Sequence, residues 1–218
     1  MNTRKAVQLI KAGRPFVMND NSIMMKKILW NSVALLVLGC LCGCQEGGYN
    51  LQGKVTGPQF NGKTVYLCEV SGSALDSVVV KDSRFGFNLP DTAVTVYNLL
   101  LKDKQMDILP LSIPVVAGDG VARVTMGDVL AVQGTPLNDA LYEILVGIDE
   151  LFGEAMNGKI GAEEARAKLR QYLKDKVVEN KANILSVYLL KSYRSRFTAE
   201  EYEQLVQQLD KRMASCLK

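Results

Sequence analysis

Histidine is absent from all 218 residues of this chain. Histidine is the general base of Ser-His-Asp and Cys-His nucleophilic systems, and it is the commonest ligand of protein-bound zinc. Its absence therefore excludes those nucleophilic systems and weakens the case for a zinc site. We expect a protein that performs no catalysis of its own and uses no cofactor and no metal.

Cysteine is scarce, with five residues in the chain. Cys40, Cys42 and Cys44 are spaced as C-x-C-x-C, and only Cys68 and Cys216 follow them. A thioredoxin-type site needs two thiols with two residues between them (C-x-x-C), one with a lowered pKa and one to resolve the mixed disulfide. No pair has that spacing, so the sequence contains no dithiol active site.

The two later cysteines stand in different surroundings. Cys68 lies among the apolar residues of a predicted strand, so we expect a buried and inert thiol. Cys216 lies near the C-terminus, where we expect it to be exposed. A Cys68–Cys216 disulfide in an oxidising compartment and a redox-active Cys68 are the alternatives.

Apolar runs long enough to cross a membrane are also missing. Ile28 to Leu41 is largely apolar but has only 14 residues, whereas a helix needs about 20 to cross a hydrocarbon core of ~30 Å. Lys26 and Lys27 precede this stretch, and small residues with a cysteine end it. A basic flank, an apolar middle and a small-residue end are the three parts of a secretory signal.

The end of this stretch resembles the lipobox of a bacterial lipoprotein, where the signal is removed and a cysteine thiol is acylated with fatty acids such as palmitate. It reads Leu41-Cys42-Gly43-Cys44, and polar residues follow. We expect acylation at Cys44, because residues 44–48 form a flexible tether; Cys40 and an ordinary cleaved signal are the alternatives. Two or more acyl chains anchor a protein stably. The resemblance implies a lipid-anchored protein of the cell envelope, on the periplasmic side or the outer-membrane surface.

Residues 1–23 fit no part of such a signal. Signals start with basic residues, and Met24 and Met25 immediately precede Lys26. We therefore expect translation to start at Met24 or Met25 rather than at Met1. Residues 1–23 are then an upstream extension, and residues 24–43 are the signal peptide.

The positive charge of the chain belongs to its first part. Residues 1–43 carry six of the 26 basic side chains and one of the 23 acidic ones, so the remaining 175 residues hold 20 basic and 22 acidic side chains. Such a balance gives no electrostatic footprint for nucleic acid. The length fits one domain of ordinary size or two small ones.

Residues 49–133 alternate between apolar and polar side chains with period two, which is typical of strands. Asp82-Ser83 separates two such runs and predicts a tight hairpin. Pro110 and Pro114 predict an edge strand or a break, and the mostly apolar Val94 to Lys102 predicts a strand covered on both faces. Seven to nine short antiparallel strands would form a β-sandwich or an open barrel.

Residues 134–218 change to a period of 3.6, which predicts helices. Thr135-Pro136 is a typical N-cap followed by a proline in the first turn. About four helices are expected: Pro136 to about Phe152, Ala162 to Glu179, Asn183 to Arg194, and a fourth that begins at the capping box of Thr198 and Glu201 and continues through Leu209 and Met213. Strands followed by helices define an α+β fold.

Acidic residues are the remaining candidates for metal binding or acid–base chemistry. Asp103 and Asp107 flank a predicted turn between lysines, which is typical of a solvated loop. Asp149, Glu150 and Glu154 follow one another on a predicted helix, with Glu150 and Glu154 opposite the apolar stripe. Nothing in the sequence fixes a carboxylate separation or a raised pKa, so neither group indicates a catalytic pair.

Four segments follow one another in the strand region: LQGKV at 51–55, NGKTVYL at 61–67, LDSVVVKD at 75–82 and RFGF at 84–87. Their order and spacing resemble the DUF4369 domain, and VQGTPLNDA at 132–140 is similar to the segment that joins this domain to a helical region. The resemblance covers roughly residues 49–209. Ser83 departs from it, because the family has glycine in that turn.

The resemblance implies a lipoprotein of Bacteroides-type bacteria. In that family the helical region commonly leads into a thioredoxin-like domain with a Trp-Cys-x-x-Cys site. The one tryptophan of this chain, Trp30, lies in the predicted signal. We therefore expect the accessory part of the architecture standing alone; a chain shortened from a longer reductase is an alternative.

These observations predict a membrane-anchored binding or accessory module of the cell envelope. It would bind an envelope protein partner or a ligand through the sheet, its edge or the groove between sheet and helices, and it would bind no nucleic acid. The alternative is a redox accessory that acts with a separately encoded thioredoxin-like protein.

Overall fold

Eight strands and five α-helices make up residues 49–89, 93–102 and 110–217, the part of the chain that the structure, a computed structural model, describes. The strands are β1 (Leu51–Val55), β2 (Thr64–Glu69), β3 (Ala74–Val79), β4 (Arg84–Phe87), β5 (Thr95–Lys102), β6 (Leu111–Ala117), β7 (Ala122–Met126) and β8 (Ala131–Gln133). The helices are α1 (Pro136–Met156), α2 (Ala162–Glu179), α3 (Ile184–Ser192), α4 (Ala199–Gln208) and α5 (Lys211–Ser215). None of these helices is long and apolar enough to cross a membrane.

The strands form two four-stranded sheets, with the orders β4-β1-β7-β8 and β3-β2-β5-β6. Buried side chains of both sheets belong to one hydrophobic core, among them Leu51 and Met126 from the first sheet and Val65 and Leu99 from the second. Two sheets over a shared core make a sandwich. The α+β class and the two-sheet arrangement are therefore confirmed, and the strands do not form a closed barrel.

One strand pair corrects the expectation of antiparallel sheets throughout. β1 pairs with β7 in parallel, with Leu51 opposite Ala122 and Val55 opposite Met126. Parallel neighbours need a long crossover connection, and here the whole second sheet lies between β1 and β7 in the sequence. A period of two identifies a strand but does not reveal the direction of its partner, so the sequence could not show this.

The turn at Asp82 and Ser83 passes the chain from one sheet to the other. Both residues have positive φ, 50° and 60°, which is the type I′ conformation of a two-residue hairpin. Lys81 and Arg84 exchange both backbone hydrogen bonds across it, at 3.0 and 2.9 Å. The tight turn is confirmed, but beyond this pair β3 joins β2 and β4 joins β1.

Substituting Ser83 by glycine is expected to stabilise the folded chain by about 1 kcal/mol. The left-handed conformation costs an L-residue such as serine roughly 1–2 kcal/mol, and glycine avoids this cost. Glycine loses more backbone entropy on folding, which cancels part of the gain. Urea unfolding of the full chain measures the difference. Ser73→Gly is the matched control, because Ser73 is exposed and has no positive φ; an equal gain from both substitutions would contradict the explanation.

On the outer edge of β6, the backbone groups of Val116 pair with a side chain and not with another strand. The N–H of Val116 donates to Oδ1 of Asn138 at 2.8 Å, and Nδ2 of Asn138 donates to the carbonyl of Val116 at 2.9 Å. Nδ2 also donates to Oγ1 of Thr135, the N-cap of α1, at 2.9 Å. Asn138 is fully buried. Its amide makes the two hydrogen bonds to Val116 that the backbone of a neighbouring strand would make, and it links the sheet to the start of α1.

The helices confirm most of the predicted bounds and correct two of them. α2 spans Ala162–Glu179 as expected, and Thr198 and Glu201 form the predicted capping box of α4. α1 does not stop near Gly153 but continues to Met156. The fourth predicted helix is broken, because Leu209 is extended and the N–H of Asp210 donates to the carbonyl of Lys181 at 3.1 Å. Its last turns therefore form the separate helix α5.

Candidate functional site

Helices α1 and α2 pack side by side where Tyr172 of α2 contacts the backbone of α1 at Gly147. The hydroxyl of Tyr172 donates to the carbonyl of Ile144 at 3.3 Å. A Cβ on Gly147 would lie 2.2 Å from that hydroxyl oxygen, so only glycine leaves it room. Burial raises the pKa of Tyr172 above its usual range.

A pocket of about 200 Å³ opens between the two helices beyond this contact. Six of its lining residues are apolar: Leu151, Phe152 and Ala155 from α1, and Ala162, Ala165 and Leu169 from α2. Three of the six are alanines, whose small side chains cannot fill the space between the helices. The gap is therefore a consequence of residue size at facing helical positions.

Large apolar side chains around this pocket are exposed. Phe152 is 47% exposed, and Met156, one turn further along α1, is 67% exposed. Contiguous exposed apolar side chains with a polar rim mark interaction sites more often than isolated ones do. We call the pocket residues together with Met156 the α1–α2 surface.

Arginines lie at the rim of the α1–α2 surface, together with the carboxylate of Glu163. Arg166 and Arg196 line the pocket, and Nε of Arg170 donates to the carbonyl of Arg196 at 2.9 Å. Arg166 pairs with Glu163, and both side chains are largely exposed. Within the described ranges Arg170 and Arg196 form no ion pair, but the charge of Arg170 already attracts the carboxylate of Glu201. Arg196, which lines the pocket, is therefore the guanidinium group available to a partner's carboxylate.

The exposed edge of the second sheet is a weaker candidate. β3 is its terminal strand, and Leu75 and Val79 on it are exposed. However, the pairing with β2 shifts register at Leu67 and Cys68, and Asp76 places a charge on this edge. Irregular pairing and charged residues are devices that prevent strand addition. The edge therefore looks protected.

The two thiols that the structure describes lie in different environments. Cys68 is 5% exposed on β2, and Cys216 is exposed beyond α5. Sγ of Cys216 lies 3.3 Å from the carbonyl of Arg212. Both are free cysteines. The burial of Cys68 agrees with the expectation of a core thiol and leaves it poorly placed for thiol exchange.

We expect a thiol reagent to modify Cys216 in the native full chain and to leave Cys68 unmodified. The reason is access, because the thiolate of Cys68 must reach solvent before it can react. Mass spectrometry of the alkylated protein, with and without denaturant, measures this. Modification of Cys68 at a rate close to that of Cys216 without denaturant would contradict the expectation and favour the redox alternative.

The acidic candidates on α1, which the structure describes, do not form a site. Asp149 and Glu150 are exposed on α1, and Glu154 is half-buried. In the part of the chain that is described, no three histidine, cysteine, aspartate or glutamate side chains are grouped so as to hold a metal ion. Asp149 and Glu150 therefore belong to the outer surface of α1, whereas Glu154 lies on the side of α1 that is near Lys168 of α2.

Several predictions concern residues outside the described ranges and stay predictions. They are the upstream extension 1–23, the signal peptide 24–43, the tether 44–48 with the acylated Cys44, and the loop carboxylates Asp103 and Asp107.

The architecture defines an α+β protein whose β-sandwich continues directly into a helical region. Residues 49–141 match the family model described as "Domain of unknown function (DUF4369)". The chain therefore contains a DUF4369 domain, and the resemblance is confirmed over those residues. The match passes residue 133, the expected end of the domain, and includes Asn138. Comparison with curated proteins and with solved structures gives no match.

Sequence reasoning did not find the α1–α2 surface. The apolar stripes of the two helices run through Phe152, Ala165 and Leu169 and so predict buried faces, which is correct for Leu169 but not for Phe152. The available signal was the size of the residues: Ala155, Ala162 and Ala165 stand where two packed helices usually carry larger side chains. An apolar stripe shows which way a helix faces but not whether the neighbouring helix fills the space.

Proposed function

We propose that this chain is a non-catalytic lipoprotein of the cell envelope whose folded part binds a protein partner or a ligand. The signal-like residues 24–43, the lipobox cysteine Cys44 and the polar tether 44–48 support the anchor. The binding role rests on one observation, the α1–α2 surface with its exposed apolar side chains and its arginine rim.

The exposed apolar side chains of this surface favour binding, because leaving them in water is unfavourable in free energy. Complete burial of a phenylalanine or methionine side chain contributes roughly 1.5–3 kcal/mol, and Phe152 and Met156, at 47% and 67% exposure, can still gain part of that. Two such residues beside an apolar pocket make a surface that gains free energy when a partner covers it. Fixed cations at the rim of an apolar centre add orientation and specificity to such a contact.

Photo-crosslinking in the native host tests the binding role. A photoreactive amino acid replaces Phe152 in the full-length chain, and the control places it at Gln207, an exposed position on α4. We expect one defined crosslinked species from position 152 and none from position 207. No product at 152, or the same products from both positions, would contradict the proposal.

The identity of the crosslinked partner also tests the redox alternative. A crosslinked protein with a thioredoxin-like Cys-x-x-Cys site would establish an accessory role in thiol–disulfide exchange, in which the partner supplies both reactive thiols. Any other partner would end that alternative.

A further inference from the structure

We infer that the α1–α2 surface binds an acidic protein segment that inserts one large apolar side chain into the pocket. The inference rests on the binding role proposed above and names the chemistry of the partner. It follows from the size of the pocket, the charges at its rim and the placement of the nearby acidic residues.

The volume of the pocket fits a single side chain better than a whole small molecule. Sites for cofactors and drug-sized ligands occupy about 300–1,000 Å³, and this pocket has about 200 Å³. An apolar cavity of about 150 Å³ holds a benzene ring. The pocket therefore fits one phenylalanine- or leucine-sized group, which is the typical anchor of a protein partner.

The rim selects carboxylates next to that anchor. Guanidinium groups bind carboxylates in a bidentate geometry, and three of them, on Arg166, Arg170 and Arg196, lie at or beside the pocket. The pair between Arg166 and Glu163 is exposed, and such pairs contribute little. An incoming aspartate or glutamate can therefore replace it at small cost.

A membrane surface fits this site less well than a protein segment does. Glu163 and Glu164 occupy the first turn of α2, beside the arginines. A flat anionic bilayer would approach these carboxylates together with the guanidinium groups, so repulsion would offset attraction. A single segment can place its anchor in the pocket and its carboxylates on the arginine side only.

Selection from a random peptide library tests the inference. The target is the full-length lipoprotein in nanodiscs of phosphatidylcholine, a lipid without net charge. We expect the enriched peptides to share one large apolar residue with aspartate or glutamate within one helical turn of it. Enriched peptides that lack acidic residues, or that carry basic ones, would overturn the inference.

Three variants locate the binding of the enriched peptides. Ala165→Phe fills the pocket and Arg196→Glu reverses a rim charge, so each is expected to raise the Kd at least about tenfold. Arg212→Glu, an exposed position on α5 that does not line the pocket, is the matched control and should leave the Kd unchanged. An unchanged Kd for Ala165→Phe and Arg196→Glu would overturn the assignment.

A charge exchange separates loss of binding from loss of folding. Peptides in which lysine replaces the acidic residues should bind Arg196→Glu more tightly than they bind the original protein, which an unfolded variant could not do.

A lipid partner would give a different result. If phosphatidylglycerol vesicles bind the original protein but not Arg196→Glu, and no peptide is enriched, the inference is overturned in favour of a lipid partner. The crosslink at position 152 is a separate readout: if it persists while the enriched peptides lack carboxylates, the binding role stands and only the partner's chemistry is wrong.

Discussion

Asn138→Asp is expected to destabilise the folded chain by roughly 3–5 kcal/mol, because each buried polar group left unpaired costs about 1–3 kcal/mol and a buried charge costs more. Aspartate has almost the same shape and keeps an acceptor for the N–H of Val116. It cannot donate to the carbonyl of Val116 or to the hydroxyl oxygen of Thr135. A carboxylate oxygen would instead face the carbonyl oxygen of Val116, which stays unpaired in a site without water access, even where the Thr135 hydroxyl turns to donate to the carboxylate.

Urea unfolding of the full chain measures this loss, and Asn157→Asp is the control. Asn157 is the exposed C-cap of α1, where an added negative charge is unfavourable by at most about 1 kcal/mol. The effect at Asn138 should also appear in hydrogen exchange, because the amide of Val116 loses its acceptor geometry. A loss at Asn138 as small as the loss at Asn157 would show that the amide does not join the sheet to the helix.

The same substitution at two glycines of α1 is expected to have opposite effects. Gly147→Ala should destabilise the fold by roughly 1–2 kcal/mol, because the displacement of Tyr172 costs more than the helix gains. Gly153→Ala should stabilise it by about 0.5–1 kcal/mol, because a Cβ at that position meets nothing within 4 Å and alanine is the better helix former.

Tyr172→Phe provides the check on the mechanism. Removing the hydroxyl should recover part of the loss in Gly147→Ala, since the nearest atom to the added Cβ is that oxygen. In the original protein the same change removes a hydrogen bond to Ile144 and should cost about 1 kcal/mol. Strictly additive effects of Gly147→Ala and Tyr172→Phe would contradict the proposed clash.

The features that sequence reasoning predicted correctly are encoded locally. The capping box at Thr198 and Glu201 fixes the start of α4 within four residues, and α2 has a periodic pattern from end to end. The turn at Asp82-Ser83 is similarly local, because two residues set its backbone conformation. Such signals act between neighbours in the sequence, so a single chain reveals them.

The features that it missed depend on contacts between distant residues. The parallel pairing of β1 with β7 is invisible in the alternation of either strand. The break at Leu209 depends on a backbone hydrogen bond from Asp210 to Lys181. The hydrophobic periodicity of the sequence gives no sign of that bond. Asn138 looks like an ordinary polar residue in the first turn of a helix, and only the fold places β6 beside its amide.

The α1–α2 surface lies between these two cases. The alanines that create the pocket are visible in the sequence, but the facing of α1 and α2 depends on the contact between Gly147 and Tyr172. The charge of the rim likewise needs Arg196, which lies 26 residues from its hydrogen-bond partner Arg170. The site was therefore not predictable from the sequence alone.

We propose that a lipid on Cys44 holds the folded part of the chain at a membrane. Metabolic labelling with a clickable fatty-acid analogue, followed by membrane fractionation, tests it directly, with Cys40→Ser as the control. The account predicts that the original protein and Cys40→Ser carry the label and sediment with membranes, whereas Cys44→Ser loses both properties. A label that survives in Cys44→Ser, or an unlabelled original protein that stays in the soluble fraction, would contradict it.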